Sequence, residues 1–350
     1  MLLAKLEASP QKGSLCLARQ QRLPLGAGAK AFPNSAALAR EISIPAVDPR
    51  NRRLGSAGLR AGLILIALSW GFNWPAVKLA LNEMPIWSMR AVGLTAGSLL
   101  LLGLAKASGR SLEVAARQWP ALILAGLLNV TAFNVLTAVA QTLMPTSRAV
   151  ILAYTMPLWT ALLARIFLGE VLTPRQRTAL MLGGAGLAAV LAPLRSRLGE
   201  PAVEAAIAAI LGAAIAWAAG TIVMKRAGSA SDPLVNTIFQ LGIGAISVWV
   251  GAFAFEATEL ATLSFWPKTW AGWGGLVYNS VIGIALSYFL WFGMVARLPA
   301  ATAAIGVLLV PVVGVTAAMA IIGERPSLAD GLGFLLISAA VFINARQQPA

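Results

Sequence analysis

The chain has 350 residues, 58% of them hydrophobic and 11% charged, with a net charge of +14 and a mean hydropathy of +0.78. Soluble domains carry about a quarter charged residues, so this composition excludes a water-soluble globular protein. A single cysteine, Cys16, excludes an internal disulfide, and the absence of histidine excludes His-dependent triads and the commonest proton shuttle and metal ligand.

Taken in chain order, residues 1–58 hold Pro, Gly, Ser and basic residues without periodicity and are predicted to be a disordered, basic cytosolic tail. Met1–Leu6 is too short for a signal-peptide core; an organellar transit peptide and a misassigned start are the other readings of this tail. Lys5, Lys12, Arg19, Arg22, Lys30, Arg40, Arg50, Arg52, Arg53 and Arg60 lie before or at the start of the first apolar run. The charge excess therefore belongs to a tail and loops, and no nucleic-acid partner is implied.

A membrane span needs ~20 mostly apolar residues. Ten runs qualify, at about 59–80, 86–105, 119–141, 147–168, 174–194, 203–225, 233–255, 272–296, 300–321 and 327–346. With the N-terminus inside, the inner loops and the C-terminus hold ten Lys and Arg (Lys106, Arg110, Arg117, Arg165, Arg175, Arg177, Lys225, Arg226, Arg297, Arg346). The outer loops hold five: Arg148, Arg195, Arg197, Lys268 and Arg325. The positive-inside rule then predicts both termini in the cytoplasm.

Trp70 and Lys78 recur as Trp217 and Lys225, eight residues apart in each case. Pro145, Pro157 and Glu170 recur as Pro299, Pro311 and Glu324, with spacings of twelve and thirteen. The first pair is offset by 147 residues and the second set by 154, so one duplication with about seven residues gained around 226–272 explains both. Five spans per copy is an odd number, which puts the second copy upside down. The predicted fold is an all-α integral membrane protein of ten transmembrane helices, arranged as two inverted five-helix repeats at 59–194 and 203–346. Inverted repeats of this kind build alternating-access transporters.

Each half resembles the EamA-type unit of the drug/metabolite transporter superfamily over roughly residues 59–346. The first half carries Trp70-Gly71, Lys78, Pro85, Arg90, Tyr154-Thr155-Met156-Pro157, Leu168-Gly169-Glu170 and Thr173. The second answers with Trp217, Lys225, Val310-Pro311, Ile322-Gly323-Glu324 and Ser327. The resemblance implies a ten-helix inner-membrane exporter or permease with a central cavity. The halves differ where Ala218 replaces Gly71 and where the counterpart of Arg90 is uncharged.

Pro75 removes a backbone donor within the first span and frees the carbonyl of Gly71, so Trp70–Lys78 is expected to face protein or a water-filled cavity. Trp70 and Asn73 form a ligand wall or helix-packing glue. Lys78 and Arg90 are near-membrane cations that either snorkel or attract a substrate anion; Lys225 is expected to snorkel. Asn134, Thr137 and Gln141 share one helical face. Tyr154, Thr155, Asn236, Gln240, Asn279, Ser280, Ser287 and Tyr288 add polar groups that coat a pathway or glue helices.

Glu170 and Glu324 follow glycines at span ends and are expected to fix tight turns, with a gate or proton site as the other reading. The acidic residues Glu83, Glu113, Glu170, Glu200, Glu204, Glu256, Glu259, Glu324 and Asp330 all lie in loops or near span ends. That pattern favours neutral, zwitterionic or anionic solutes over cations.

The substrate-binding candidates are thus Trp70, Asn73, Lys78, Arg90, Asn134, Tyr154, Trp217 and Tyr288. No catalytic residue, metal ligand or cofactor is expected. HExxH, paired buried carboxylates and a nucleotide-binding loop are all missing from the sequence, so neither an enzyme nor an ATP-driven pump is indicated. The expected partners are a small-molecule substrate and the lipid bilayer of the plasma or bacterial inner membrane. Proton coupling and a monomeric or homodimeric state are left open. A non-transporting receptor or assembly protein is the alternative function.

Overall fold

The computed structural model describes residues 56–228, 231–295 and 300–345, including the side chains of 61–228, 231–293 and 308–344. Residues 1–55 of the expected tail, together with Arg297, Pro299 and Arg346, lie outside the described residues. Among the described residues all regular structure is helical. We label the rods α1 (Ser56–Leu81), α2 (Ile86–Ala107), α3 (Ala116–Leu143) and α4 (Thr146–Phe167). α5 is Pro174–Leu191, prolonged by a tight turn at Ala192–Arg197; α6 is Pro201–Ala227 and α7 is Pro233–Phe255. α8 begins at Trp270 and ends at Val295, α9 is Ala300–Ile322 and α10 is Leu328–Ala345.

Eight of these helices, α1 to α8, are long and apolar enough to cross a membrane; Leu308–Ile322 and Leu328–Asn344 are shorter apolar helices among the described residues. Burial is distributed as lipid requires. Leu99, Ile166, Phe167, Met181, Ile246, Val250, Phe253 and Leu335 are exposed, and in water such a continuous apolar surface would aggregate.

Local chemistry sets the boundaries. Thr173 accepts from the backbone N–H of Gln176 while the Gln176 side chain accepts from the Thr173 N–H, which is the capping box expected at the start of α5. Ser327 and Asp330 make the same reciprocal pair at the start of α10. α4 and α9 both end on a glycine in the left-handed region, Gly169 at φ 70° and Gly323 at φ 71°. In each case the following glutamate N–H reaches back six residues, Glu170 to the Ala164 carbonyl and Glu324 to that of Ala318, both at 3.4 Å. The two turns are closed by glycine and backbone.

Helices of 56–197 take their main neighbours from 201–345. α1 packs on α8 and α9, and α6 packs on α3 and α4; α2 pairs with α7, and α5 with α10. Positions related by the sequence offsets thus make matching contacts. The α5–α10 contact is a close backbone approach. A Cβ at Gly186 would lie 3.0 Å from the Gly333 carbonyl oxygen, and one at Gly333 would lie 2.8 Å from that of Gly186. Without a hydrophobic drive between helices in lipid, such close packing of small residues holds them together. Gly186→Leu is therefore expected to lower the thermal unfolding midpoint in detergent, by the ~1–3 kcal/mol typical of overpacking. Gly184→Leu, at a position with nothing within 4 Å, should leave that midpoint where it was.

Candidate functional site: a polar cavity open at one end

One cavity of about 750 Å³ lies between the helices. Trp70, Asn73, Arg90, Asn134, Tyr154, Trp217 and Tyr288 all line it, and Lys78 does not. Its lining extends to Ala164 and Glu170 near the end of α4, Gln176 at the start of α5, Lys225 near the end of α6 and Asn344 near the end of α10. All of these lie at the same end of the bundle, and the cavity opens there.

On α1, Trp70, Asn73, Trp74 and Val77 face inward at helical spacing. Gly71 faces the other way, where a Cβ would sit 2.4 Å from Val313 of α9. That close approach clamps α1 on α9 and fixes which face meets the cavity. Asn73 lies against Gly283 of α8, and its Oδ1 is buried without a hydrogen-bond partner.

Arg90 sits in the second turn of α2 and is only 4% exposed. Its guanidinium donates to Thr137 Oγ1 at 3.3 Å, and its Nε has no partner. Among the described residues no carboxylate forms an ion pair with it. Gln141 Oε1 and Asn129 Oδ1 are likewise buried and unpaired in the same cavity. These groups give the cavity wall a cation and three amide acceptors.

Backbone irregularities carry the polar lining. α3 contains a π-helical stretch at Gly126–Ala132 and α8 another at Tyr278–Leu286. Side chains close the loosened turns: Asn134 donates to the Val130 carbonyl at 2.8 Å, and Ser287 to that of Ile282 at 2.6 Å. α4 breaks at Tyr154-Thr155 and restarts at Met156-Pro157. There the Thr155 hydroxyl donates to the Leu152 carbonyl at 2.7 Å. π-turns recur at functional sites.

Aromatic rings form two facing clusters. Trp70 meets Tyr288 edge-on at 5.8 Å and Trp291 at 5.6 Å, and Trp217 meets Phe133 at 4.9 Å.

One expectation for the lysines needs correction. The Lys78 ammonium donates to the Gln141 carbonyl at 2.6 Å, at the last turn of α3, so it serves a helix terminus rather than the cavity. Lys225, expected to snorkel, pairs with Glu170 at 2.5 Å at the cavity mouth.

The expectation for Glu324 also changes. Its carboxylate accepts from the backbone N–H groups of Thr146 and Ser147 at 2.6 and 2.7 Å, capping α4 from the end of α9. The end of the bundle opposite the mouth is closed by further contacts of this kind. Glu256, 8% exposed, accepts from the N–H groups of Trp87 and Ser88 and from the Ser88 hydroxyl. Glu83 caps α8 through Lys268 and Thr269. The Thr269 hydroxyl and amide hold the Glu83 carboxyl below the usual carboxylate range.

Of the other polar residues read from the sequence, Thr137, Gln141, Gln240 and Asn279 line the cavity. Asn236 instead accepts from Ser231, and Ser280 donates to the Leu276 carbonyl. Asn129 and Phe133 also line the cavity and were not foreseen. Asn129 precedes Asn134 by five residues, a spacing that an ordinary helix turns away and a π-turn realigns.

Comparison with known proteins places this geometry. The description "EamA-like transporter family" matches twice, over residues 61–192 and 204–346. The uncharacterized transporter YvbV of Bacillus subtilis is 27% identical over 82% of this chain and 91% of its own length. A probable terminal-alkyne amino-acid exporter of Streptantibioticus cattleyicolor is 27% identical over 81% and 92%. A probable amino-acid metabolite efflux pump of Escherichia coli is 25% identical over 80% and 92%. A protein crystal structure aligns with a TM-score of 0.54 at 20% identity, over 81% of this chain and 96% of that one, a likeness of fold alone. The chain is an integral membrane protein and belongs to the EamA-like transporter family.

Proposed function

We propose that this chain is a secondary transporter that moves a small carboxylate-bearing metabolite, anionic or zwitterionic, across the plasma or bacterial inner membrane by alternating access. The observation that carries the substrate class is Arg90, a buried cation without a carboxylate partner, facing a cavity that opens at one end. A buried charge is costly unless it is paired, so one left unpaired implies a ligand anion. Among the described residues Glu170, at the mouth and paired with Lys225, is the one acidic residue in the lining. Those residues supply no buried carboxylate to recruit a cationic drug.

The names of two relatives, one an amino-acid exporter and one an amino-acid metabolite efflux pump, support a substrate of this kind. The aromatic clusters around Trp70 and Trp217 suit an apolar or aromatic body, and the free acceptors of Asn73 and Gln141 suit an ammonium or hydroxyl.

All ten helices cross the membrane in this reading, as two inverted halves. The double family match and the equivalent π-turns and glycine turns support it. The contact between Arg110 and Asp232 supports a common side for the α2–α3 and α6–α7 loops, as inversion requires. With both termini cytoplasmic, the cavity faces inward. α1, α8 and α9 form one packing group and α3, α4 and α6 the other; rocking between these groups exchanges the open end.

Counterflow in proteoliposomes against a panel of amino and organic acids tests this. Arg90→Ala is expected to weaken uptake of carboxylate solutes about tenfold to a hundredfold, the worth of a charge-assisted hydrogen bond, and Asn73→Ala by a smaller factor. Transport at the wild-type level of every solute by both variants would remove the cavity assignment. Arg90→Met should also raise the thermal unfolding midpoint while weakening transport as the alanine variant does, because it removes an unpaired buried charge. A lowered midpoint would mean that Arg90 is structural.

A further inference from the structure

Lys78 and Glu324 grip the same corner of the protein. Lys78 binds the Gln141 carbonyl at the end of α3, and Glu324 binds the Thr146 and Ser147 N–H groups at the start of α4. A cation at a helix C-terminus and an anion at a helix N-terminus both match the local dipole. The corner is thereby tied to α1 and to the end of α9, which belong to the other packing group. These contacts hold the far end of the cavity shut.

The repeat offsets relate Lys78 to Lys225 and Glu324 to Glu170. At the open end these two counterparts pair with each other at 2.5 Å, half-exposed at the mouth. The same two charges are thus spent on a helix corner where the bundle is shut and on one another where it is open.

We propose that Lys78–Glu324 and Lys225–Glu170 are reciprocal latches. In the opposite state Lys225 and Glu170 part to clasp the open end, and Lys78 and Glu324 release their corner and pair. This rests on the alternating-access reading and goes beyond it, because it names the residues that set the balance between the two states.

The balance is unequal. Arg148 binds Asp330 at 2.8 Å at the shut end, with side chains only 12% and 4% exposed. The positions related to these by the 154-residue offset are Thr302 and Gln176, neither of them charged. One end therefore carries an extra buried ion pair, which favours the state described here.

An exposed ion pair contributes little, whereas a charge-assisted cap on backbone N–H groups contributes more. Removing Glu324 should therefore weaken the present state. Removing Glu170 should chiefly weaken the opposite one, since the half-exposed pair it gives up is the smaller loss.

The test uses a Cys16→Ser background with the cavity-lining Thr221 replaced by cysteine, and a membrane-impermeant maleimide applied from either side of oriented vesicles. Glu324→Gln is expected to raise labelling from the shut side about tenfold. Glu170→Gln should lower it below the parent level, and the double variant should return the ratio toward the parent. Lys78→Met should act in the same direction as Glu324→Gln, so a folding failure of one variant does not decide the matter.

Equal shifts in one direction, or none, in a parent whose cysteine labels from both sides would overturn the latches and leave alternating access standing. A parent cysteine reached from one side only, with and without a transported solute, would overturn both.

Discussion

Hydrocarbon offers no hydrogen bonds, and the rest of this structure follows from that constraint. Every backbone group in the bundle must find its partner within the protein or at a water-filled surface. Three departures from regular helix sit beside the cavity: the π-turns of α3 and α8 and the break at Tyr154-Thr155. At each a nearby amide or hydroxyl bonds a backbone carbonyl, from Asn134, Ser287 and Thr155 respectively. Those side chains give a lipid-embedded bundle its polar interior, while the outer faces remain continuous and apolar.

Charge is distributed by the same logic. At the ends of the bundle, carboxylates are committed to helix N-termini and lysines or arginines to carbonyls or carboxylates. The Glu256, Glu324 and Glu83 caps join segments distant in sequence, and the Glu324 cap ties the two packing groups together without a covalent link. Among the described residues Arg90 is a cation both buried and without an anion. Its cost to the fold is the physical reason for treating it as the substrate anchor, and the neighbouring free acceptors of Asn73 and Gln141 extend that anchor into a site.

Much of this was legible in the residues. Apolar length placed the helices to within a few residues of their ends, because the hydrophobic thickness of a bilayer is a strong constraint on sequence. The Thr173–Gln176 and Ser327–Asp330 boxes were readable because capping is local. Trp70, Asn73, Arg90 and Trp217 were readable as candidates for a cavity wall, with helix packing or snorkelling as the other readings, and all four line the cavity. Lys78 does not. Its proximity to a span end left snorkelling and cavity exposure open, and its actual partner, the Gln141 carbonyl, is set by tertiary packing. Glu324 was assigned to its own turn because Gly323 precedes it, yet glycine and backbone alone close that turn and the carboxylate was free to reach α4. Asn129 stayed hidden because a π-turn shifts the register of α3, and no local residue pattern announces one.

The most direct test is a pair of spin-label distances measured with and without a transported carboxylate solute, between Arg226 and Gly293 at the open end and between Asn82 and Thr142 at the shut end. Alternating access requires opposed changes: as solute redistributes the two states, a shorter first distance accompanies a longer second one. Distances that stay fixed in every condition, or that lengthen together, would contradict it.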